Sequence, residues 1–282
     1  MNWREEALVF ACGQDQLVGI IAAPEKPAPC GVLILVGGPQ YRVGSHRQFT
    51  LLARGLAAAG FSSLRFDYRG MGDSAGGART FEHAQEDIRS AIDRLMERQP
   101  ALRELVIWGL CDAASAALFY AHGDKRVSGL VLLNPWVRTD EGMARAQLKH
   151  YYGARLLQRA FWQKLLRGEV ALMGSLTGFA ERLFQAFRRS TDSAKMVKPL
   201  PQRMEDGLRK FHGRVLLILS GNDLTAQEFK DLVARSSGWQ SLLQDKRVTR
   251  RELSEANYTF LRREWRDQVA EWTKAWLMQR QD

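Results

Sequence analysis

One stretch, residues 105–115, constrains the fold of this chain more than any other. A β-branched, apolar run, Leu105-Val106-Ile107-Trp108, leads through Gly109-Leu110-Cys111 straight into an alanine-rich segment that favours a helix. This order predicts a strand, a sharp turn and a helix, with the thiol at the tip of the turn. Such an elbow lifts a nucleophile above the end of a sheet. The common motif is Gly-x-Ser-x-Gly, and here Cys111 takes the serine place and Ala113 the second glycine place. The alternative interpretation is a small, half-buried cysteine at a strand–helix junction.

The rest of the chain alternates between strand-like and helix-like segments. Strands are predicted at about residues 5–12, 16–23, 31–36, 61–66, 105–110, 127–133, 214–219 and 247–253. Helices are predicted at about residues 46–59, with Ser45 as N-cap, and at 80–98, 113–121, 225–236 and 261–279. The alternation predicts an α/β fold with a doubly wound, mostly parallel sheet of about eight strands and helices on both faces.

One region departs from this alternation. Residues 136–210 are basic and aromatic and contain no strand-like run, so we expect a helical cap insertion there, with ordinary peripheral helices as the alternative. The sheet domain then comprises residues 1–135 and 211–282.

Composition excludes several classes of protein. The 282 residues carry a formal net charge of +10, but basic and acidic residues are interspersed and no nucleic-acid-binding motif occurs. We expect no nucleic acid partner, whereas transient association with an anionic membrane surface stays open. No apolar run is long enough to span a membrane, and no signal peptide is visible. Cys12, Cys30 and Cys111 are scattered, which indicates thiols in a reducing cytoplasm. We expect neither a metal nor a cofactor.

Four loops follow predicted strands at the same edge of the sheet: residues 37–44, 67–74, 109–113 and 220–223. Ligands of open parallel sheets bind beyond the carboxyl ends of the strands, so these loops frame a candidate site. Cys111 is the candidate nucleophile there. We expect the helix N-terminus to lower the pKa of its thiol and so to favour the thiolate.

An acyl-transfer site also needs donors for the oxyanion. The backbone N–H of Asp112 is expected to be one donor, with a helix-capping role for its side chain as the alternative. The second donor should come from residues 37–44. Since Pro39 has no N–H, Gln40 is favoured, and Gly38 and His46 complete the residues expected on this side of the site. A glycine turn needed only for chain direction is the simpler interpretation of this loop.

The candidate acid is Asp223. It directly follows a buried strand in a Gly-Asn-Asp turn, which is where an acid must lie to orient a catalytic base. Stabilisation of the turn by its side chain is the alternative. We interpret Asp67, Arg69 and Asp73 as structural salt-bridge residues.

The base is harder to find. It should titrate near neutral pH and lie between the last strand and the C-terminal helix, but residues 254–260 contain no histidine. His46 follows the candidate oxyanion loop and could reach the site; His83 and His150 stay open as well. A surface or capping role is the simpler interpretation of each. The other two histidines, His122 and His212, are expected at the opposite edge.

These features resemble the α/β-hydrolase superfamily over nearly the whole chain, with a helical cap between the sixth and seventh strands. More narrowly, the chain is similar to the hydrolases associated with the exosortase A system, type 1. The stretches that carry the resemblance are Gly37–Phe49, Arg65–Ser74, Trp108–Ser115 and Trp265–Val269.

The resemblance implies a nucleophile at Cys111, an acid at Asp223 and a histidine base in a segment like Ala-Asp-His-Thr-Phe. The matching residues here are Ala256-Asn257-Tyr258-Thr259-Phe260, so Tyr258 stands at the histidine position. A neutral tyrosine, with a reference pKa of about 10, is a poor proton acceptor at pH 7. The role of base is therefore not transferred to Tyr258, which could instead hydrogen-bond Asp223 or the substrate.

Three hypotheses about function follow. The leading one is a cytoplasmic enzyme that acts on an ester or thioester of a small-molecule or lipid-like acyl group through an acyl-Cys111 intermediate, by slow hydrolysis or acyl transfer. Its context, by resemblance alone, is exopolysaccharide production and exosortase-dependent sorting. The second is a binding or scaffold protein that kept the fold and lost turnover. The third is an anion or membrane-surface binder that uses the basic cap.

Overall fold

The computed structural model describes residues 2–38, 40–138 and 198–279. Its centre is a single eight-stranded sheet with the strand order β1-β2-β4-β3-β5-β6-β7-β8. The strands are β1 Trp3–Cys12, β2 Asp15–Pro24, β3 Cys30–Leu35, β4 Ser63–Phe66, β5 Glu104–Leu110, β6 Val127–Leu133, β7 Arg214–Ser220 and β8 Val248–Leu253. β2 pairs antiparallel with β1 and β4, and every pairing from β4 to β8 is parallel.

Seven helices surround the sheet in the described parts of the chain. They are α1 Gln48–Ala58, α2 Gln85–Arg98, α3 Asp112–Tyr120, α4 Leu200–Lys210, α5 Leu224–Arg235, α6 Ser237–Gln244 and α7 Arg263–Met278. Short 3₁₀ turns occupy Ser45–Arg47, Phe81–His83 and Ala121–Gly123. None of the described helices is long and apolar enough to cross a membrane.

The central strands are buried because helices cover both faces of the sheet. β3 and β4 are buried at every residue, and β5 shows how the two faces are used. Trp108 makes an edge-to-face contact with Phe49 of α1, whereas a Cβ atom at its neighbour Gly109 would meet Ala113 of α3. Since successive side chains of a strand point to opposite faces, α1 and α3 lie on opposite sides of the sheet. The predicted doubly wound α/β architecture is therefore confirmed.

Two local predictions were wrong, and one helix was not predicted. Ser45 does not cap α1, because that helix begins at Gln48 and has Arg47 at its N-cap in a left-handed conformation. Helix α6 was not predicted, although Ser236 caps it by accepting a hydrogen bond from the backbone N–H of Trp239 at 3.3 Å. The helix predicted from residue 80 begins at Gln85 after a 3₁₀ turn.

The predicted cap lies mostly outside the described residues. The chain forms two compact units, residues 1–137 with 201–282, and residues 138–200. Helix α4 thus lies almost wholly in the unit of the sheet. Gly207 explains how α4 packs there, since a Cβ atom would come within 2.3 Å of the Leu118 carbonyl oxygen on α3.

The carboxyl ends of β7 and β8 are held together by their backbones. Gly221 donates its N–H to the Leu253 carbonyl at 2.8 Å, and Asn222 donates to Ala256 at 3.0 Å. A Cβ atom at Gly221 would lie 2.0 Å from the Ser254 carbonyl oxygen, so only glycine allows this approach. The approach fixes where the loop after β8 begins.

Two glycine-to-alanine substitutions should have opposite effects on stability. Gly221→Ala should lower the free energy of unfolding by roughly 2 kcal/mol or more, because backbone must move to admit the methyl group. Gly55→Ala lies within α1, where no atom approaches the added Cβ within 4 Å. It should raise the free energy of unfolding by about 0.5–1 kcal/mol. Urea denaturation followed by circular dichroism measures both, and a loss of stability in Gly55→Ala would contradict the packing described for α1.

Candidate active site

Cys111 lies at the tip of the turn between β5 and α3. Its backbone has φ 64° and ψ −126°, a region that residues with a side chain rarely adopt. Such a conformation costs roughly 1–3 kcal/mol and persists only where the surroundings enforce it. Gly109 allows this conformation, because a Cβ atom at residue 109 would lie only 2.7 Å from the backbone of Ala113. The predicted strand, sharp turn and helix are thus present.

Hydrogen bonds hold the turn at Cys111 to the end of the neighbouring strand, β6. The N–H of Cys111 donates to the Leu133 carbonyl at 2.8 Å, and its carbonyl accepts from the N–H of Trp136 at 3.2 Å. Ser115 of α3 donates its hydroxyl to the Trp136 carbonyl at 2.7 Å. Sequence reasoning missed the role of Ser115 and Trp136, because hydrogen bonds between segments 20 residues apart leave no local pattern.

The thiol of Cys111 is almost fully buried and is not activated in the way that we expected. Burial raises its pKa to about 11, although a hydrogen bond from Tyr258 lowers it, and the charges of Asp112 and Asp223 raise it further. The prediction that the helix N-terminus would yield a thiolate is therefore wrong. Desolvation and two nearby carboxylates outweigh the helix dipole, whose effect at a terminus is typically below 1 kcal/mol.

The carboxyl group of Asp112 lies against the backbone N–H groups at the start of α3. Its Oδ1 accepts the N–H of Gly38 at 2.7 Å. Burial raises the pKa of Asp112, and the backbone N–H groups of Gly38, Ala113 and Asp112 itself oppose the rise. Asp112 is the first residue of α3, whose N-cap is Cys111, and no side-chain hydrogen bond caps the helix. The loop donor that reaches the Asp112 carboxyl is Gly38, whereas Gln40 uses its side-chain oxygen to accept the N–H of Ser45 at 3.1 Å.

Tyr258, in the loop after β8, places its hydroxyl against Cys111. Interaction with this hydroxyl lowers the pKa of the thiol, whereas burial, Cys111, Asp112 and Asp223 together raise the pKa of Tyr258 well above its ordinary value. Both groups are thus neutral at pH 7. Of the partners considered for this hydroxyl, Asp223 acts on it through its charge.

Asn134 holds this arrangement in place, and sequence reasoning missed it. Its side-chain amide donates to the Tyr258 carbonyl at 3.2 Å and to the Ser220 hydroxyl at 2.9 Å, and its Oδ1 accepts the N–H of Ser220 at 2.9 Å. The residue is fully buried, with φ 42°. A polar residue directly after a buried strand, as in Leu133-Asn134, was the signal that could have identified it.

Asp223 serves as a helix cap, and His46 lies on the surface. Asp223 caps α5, where its Oδ2 accepts the N–H of Ala226 at 2.8 Å, although its charge still reaches Cys111. His46 is exposed on the 3₁₀ turn, and within the described residues no hydrogen bond joins it to Cys111. His150 lies outside those residues.

Salt bridges fix the loop after β4, as expected. Arg42 bonds both Asp67 and Asp73, so the loop after β3 is tied to the loop after β4. Arg69 pairs with the buried Asp87 at 2.6 Å. These ion pairs shape the rim of the site. In the described parts of the chain, no group of three or more His, Cys, Asp or Glu side chains could hold a metal ion.

Comparison with known proteins identifies the family. The sequence model of the serine aminopeptidase family S33 matches residues 27–197, more than half of the chain. The chain belongs to this family of α/β hydrolases. A search of curated proteins returned no match.

Several solved structures share the fold of this S33-family chain. A Pyrococcus furiosus esterase superposes with a TM-score of 0.63 at 16% identity, covering 97% of this chain and 93% of the esterase. A dienelactone hydrolase from Anabaena variabilis gives 0.62 at 15% identity and covers 99% of both chains. A Xanthomonas campestris serine hydrolase without a lid gives 0.59 at 16% identity, covering 97% of this chain and 95% of that one. At these identities the likeness shows the α/β-hydrolase fold. The S33-family name refers to a serine enzyme, whereas the elbow here carries a cysteine.

Because burial raises the pKa of the Cys111 thiol, its rate of alkylation should depend steeply on pH. Since only the thiolate is alkylated, the rate with iodoacetamide should rise about tenfold per pH unit through the neutral range. It should level off only near pH 11. Tyr258→Phe removes the hydrogen bond that stabilises the thiolate, so its profile should move to higher pH.

Peptide mass spectrometry of the Cys111 adduct follows this reaction. The matched control is Tyr120→Phe, because that hydroxyl bonds Asp124 on the far side of α3. It should leave the profile unchanged. A plateau near neutral pH would show that the thiol is activated after all.

Proposed function

We propose that the protein is an α/β hydrolase that forms an acyl thioester on Cys111 from an ester or thioester with a small-molecule or lipid-like acyl group. The observation that supports this most strongly is the strained backbone of Cys111. A cysteine that only fills space at a strand–helix junction gains nothing from a positive φ. A nucleophile gains exposure above the strand end and access to backbone N–H donors, which offsets the strain.

The chemistry follows from the groups around the sulfur. The sulfur attacks the carbonyl carbon, and the developing oxyanion is stabilised by the N–H groups at the start of α3 and in the loop after β3. The hydroxyl of Tyr258 stabilises the sulfur while it carries negative charge. The alcohol or thiol leaves with the proton that Cys111 loses, and water or another acceptor then cleaves the thioester and restores the thiol. Tyr258 is a weak base, so this second step is slow and acyl transfer competes with hydrolysis.

The test is incubation with p-nitrophenyl acetate. We expect a burst of one nitrophenolate per chain followed by slow turnover, and an acetyl adduct on the Cys111 peptide. Cys111→Ala should abolish both the burst and the adduct, whereas Cys30→Ala, which removes a buried thiol outside the site, should retain them. Absence of both signals in the wild-type protein would refute the proposal.

A second candidate is a binding protein of the same fold that has lost turnover. The raised pKa of Cys111 and the presence of Tyr258 at the base position favour it. Tyr258→His separates the two candidates. If an enzyme lost its base, this substitution should raise the steady-state esterase rate at least about tenfold, since a positioned general base typically contributes more than that. Equal esterase rates in the wild-type protein and in Tyr258→His would contradict the idea that the protein lost a histidine base at this position.

The biological setting rests on resemblance. We propose a cytoplasmic role beside an exosortase-dependent sorting system and exopolysaccharide production. The net charge of +10 is compatible with transient attachment to anionic membrane surfaces.

A further inference from the structure

The donors that should receive a substrate oxygen are already occupied by a side chain of the protein. The Asp112 carboxyl accepts the N–H of Gly38 at 2.7 Å, and the backbone N–H groups of Asp112 and Ala113 also favour its charged form. The fit is tight, since a Cβ atom on Gly37 would lie 2.7 Å from the same Oδ1. An acyl oxygen can use these donors only after the carboxyl group has left them.

A second buried group, the hydroxyl of Tyr68, lacks a hydrogen-bond partner among the described residues. The hydroxyl of Tyr68, just beyond β4, is buried and forms no hydrogen bond with any described residue, and the side chain is only 5% exposed. Its ring packs edge-to-face on Phe66 with centroids 5.2 Å apart, so the hydroxyl cannot simply turn towards water. A buried hydroxyl without a partner is costly and rare in native proteins.

Besides burial, the charges of two carboxylates, Asp112 and Asp87, raise the pKa of the Tyr68 hydroxyl. Of the two, Asp112 is the one whose hydrogen bonds a substrate could replace. Asp112 is the charged group with the largest effect on Tyr68, followed by Asp87. Asp87 is already engaged, because it accepts hydrogen bonds from the backbone and the guanidinium of Arg69 at 2.8 and 2.7 Å. Asp112 is held only by backbone N–H groups that a substrate oxygen would claim.

We propose that Asp112 is a two-position gate of the oxyanion site: it fills the site in the free protein and turns to the Tyr68 hydroxyl when an acyl oxygen enters. This rests on the proposed function in one respect, since the entering oxygen belongs to an acyl group at Cys111. The gate keeps the buried thiol beside a carboxylate, and therefore protonated, until a substrate is present. Tyr68 is a positioning residue that acts through Asp112, and Cys111, Tyr258 and Asp223 are the other ionisable groups that face the cluster.

The test compares two reactions of Cys111: acylation by p-nitrophenyl acetate, which needs the oxyanion site, and alkylation by iodoacetamide, which does not. The ratio of the two rates removes any effect of the variants on the thiol pKa. Asp112→Ala should raise this ratio about tenfold or more, because it frees oxyanion donors. Asp112→Asn keeps a hydrogen-bond acceptor in place and should stay near the wild-type ratio. If the asparagine and alanine variants gave the same ratio, charge alone would explain the effect and the gate would be refuted.

Tyr68 provides the sharper test. Tyr68→Phe should lower the ratio about tenfold or more, the value of one hydrogen bond to a charged carboxylate, and should have no effect in the Asp112→Ala background. Its thermal stability should not fall, since the hydroxyl has no partner in the free protein. Tyr120→Phe, which removes a hydroxyl bonded to Asp124 at 2.6 Å, should lose stability and keep the ratio. An equal effect of Tyr68→Phe in both backgrounds would contradict the gate.

A binding measurement separates the gate from the proposed function. Acetate is titrated into ¹⁵N-labelled protein, and the amide signals of Gly38 and Ala113 are followed. In Asp112→Ala we expect both signals to shift to saturation, whereas the wild-type signals should not respond. If acetate binds this variant while no variant is acylated, the gate stands and the proposed function fails. If acetate leaves both signals unchanged, the N–H groups do not form an anion site and the gate fails.

Discussion

The strained backbone of Cys111 is the constraint on which the rest of the site depends. Its positive φ is affordable only because the chain is held on both sides, by the hydrogen bonds to Leu133 and Trp136 and by the absence of a side chain at Gly109. The same turn starts α3 with its N–H groups directed at the sheet edge. The proposed nucleophile and the proposed oxyanion donors on α3 therefore come from one local conformation, and mutations that relax it would displace both.

The electrostatics around this elbow favour neutral groups. The thiol is buried, the phenol of Tyr258 and the charges of two carboxylates act on it, and burial raises the pKa of the thiol and of the phenol. In most triads an imidazole takes the proton of the nucleophile and becomes a cation beside the oxyanion. Here the described residues place no histidine at that position. The site thus keeps the Cys111 thiol protonated at neutral pH, which is consistent with the slow turnover that we propose.

The fold could be predicted from sequence because periodic burial is a local signal. The buried runs of β3, β5, β6 and β7, and the elbow, are visible in the residues themselves. Helix α6 and the start of α1 were missed, since Ser236 and Arg47 set those boundaries through cap geometry. Within the site, the residue types near the sulfur were predicted, but their bonds were not. The helix dipole was expected to dominate the thiol, and burial dominates it instead. Asn134 links three strand ends through hydrogen bonds that span up to 124 residues of chain, and no short pattern encodes these.

The central claim is that Cys111 carries an acyl group during the reaction. The most direct measurement is the ¹³C NMR spectrum of the protein mixed with an acyl donor labelled at its carbonyl carbon. The account predicts a protein-bound thioester resonance that appears before free acid, decays slowly and is absent from Cys111→Ala. A spectrum that passes from donor to acid with no thioester resonance, or one that keeps that resonance in Cys111→Ala, would contradict it.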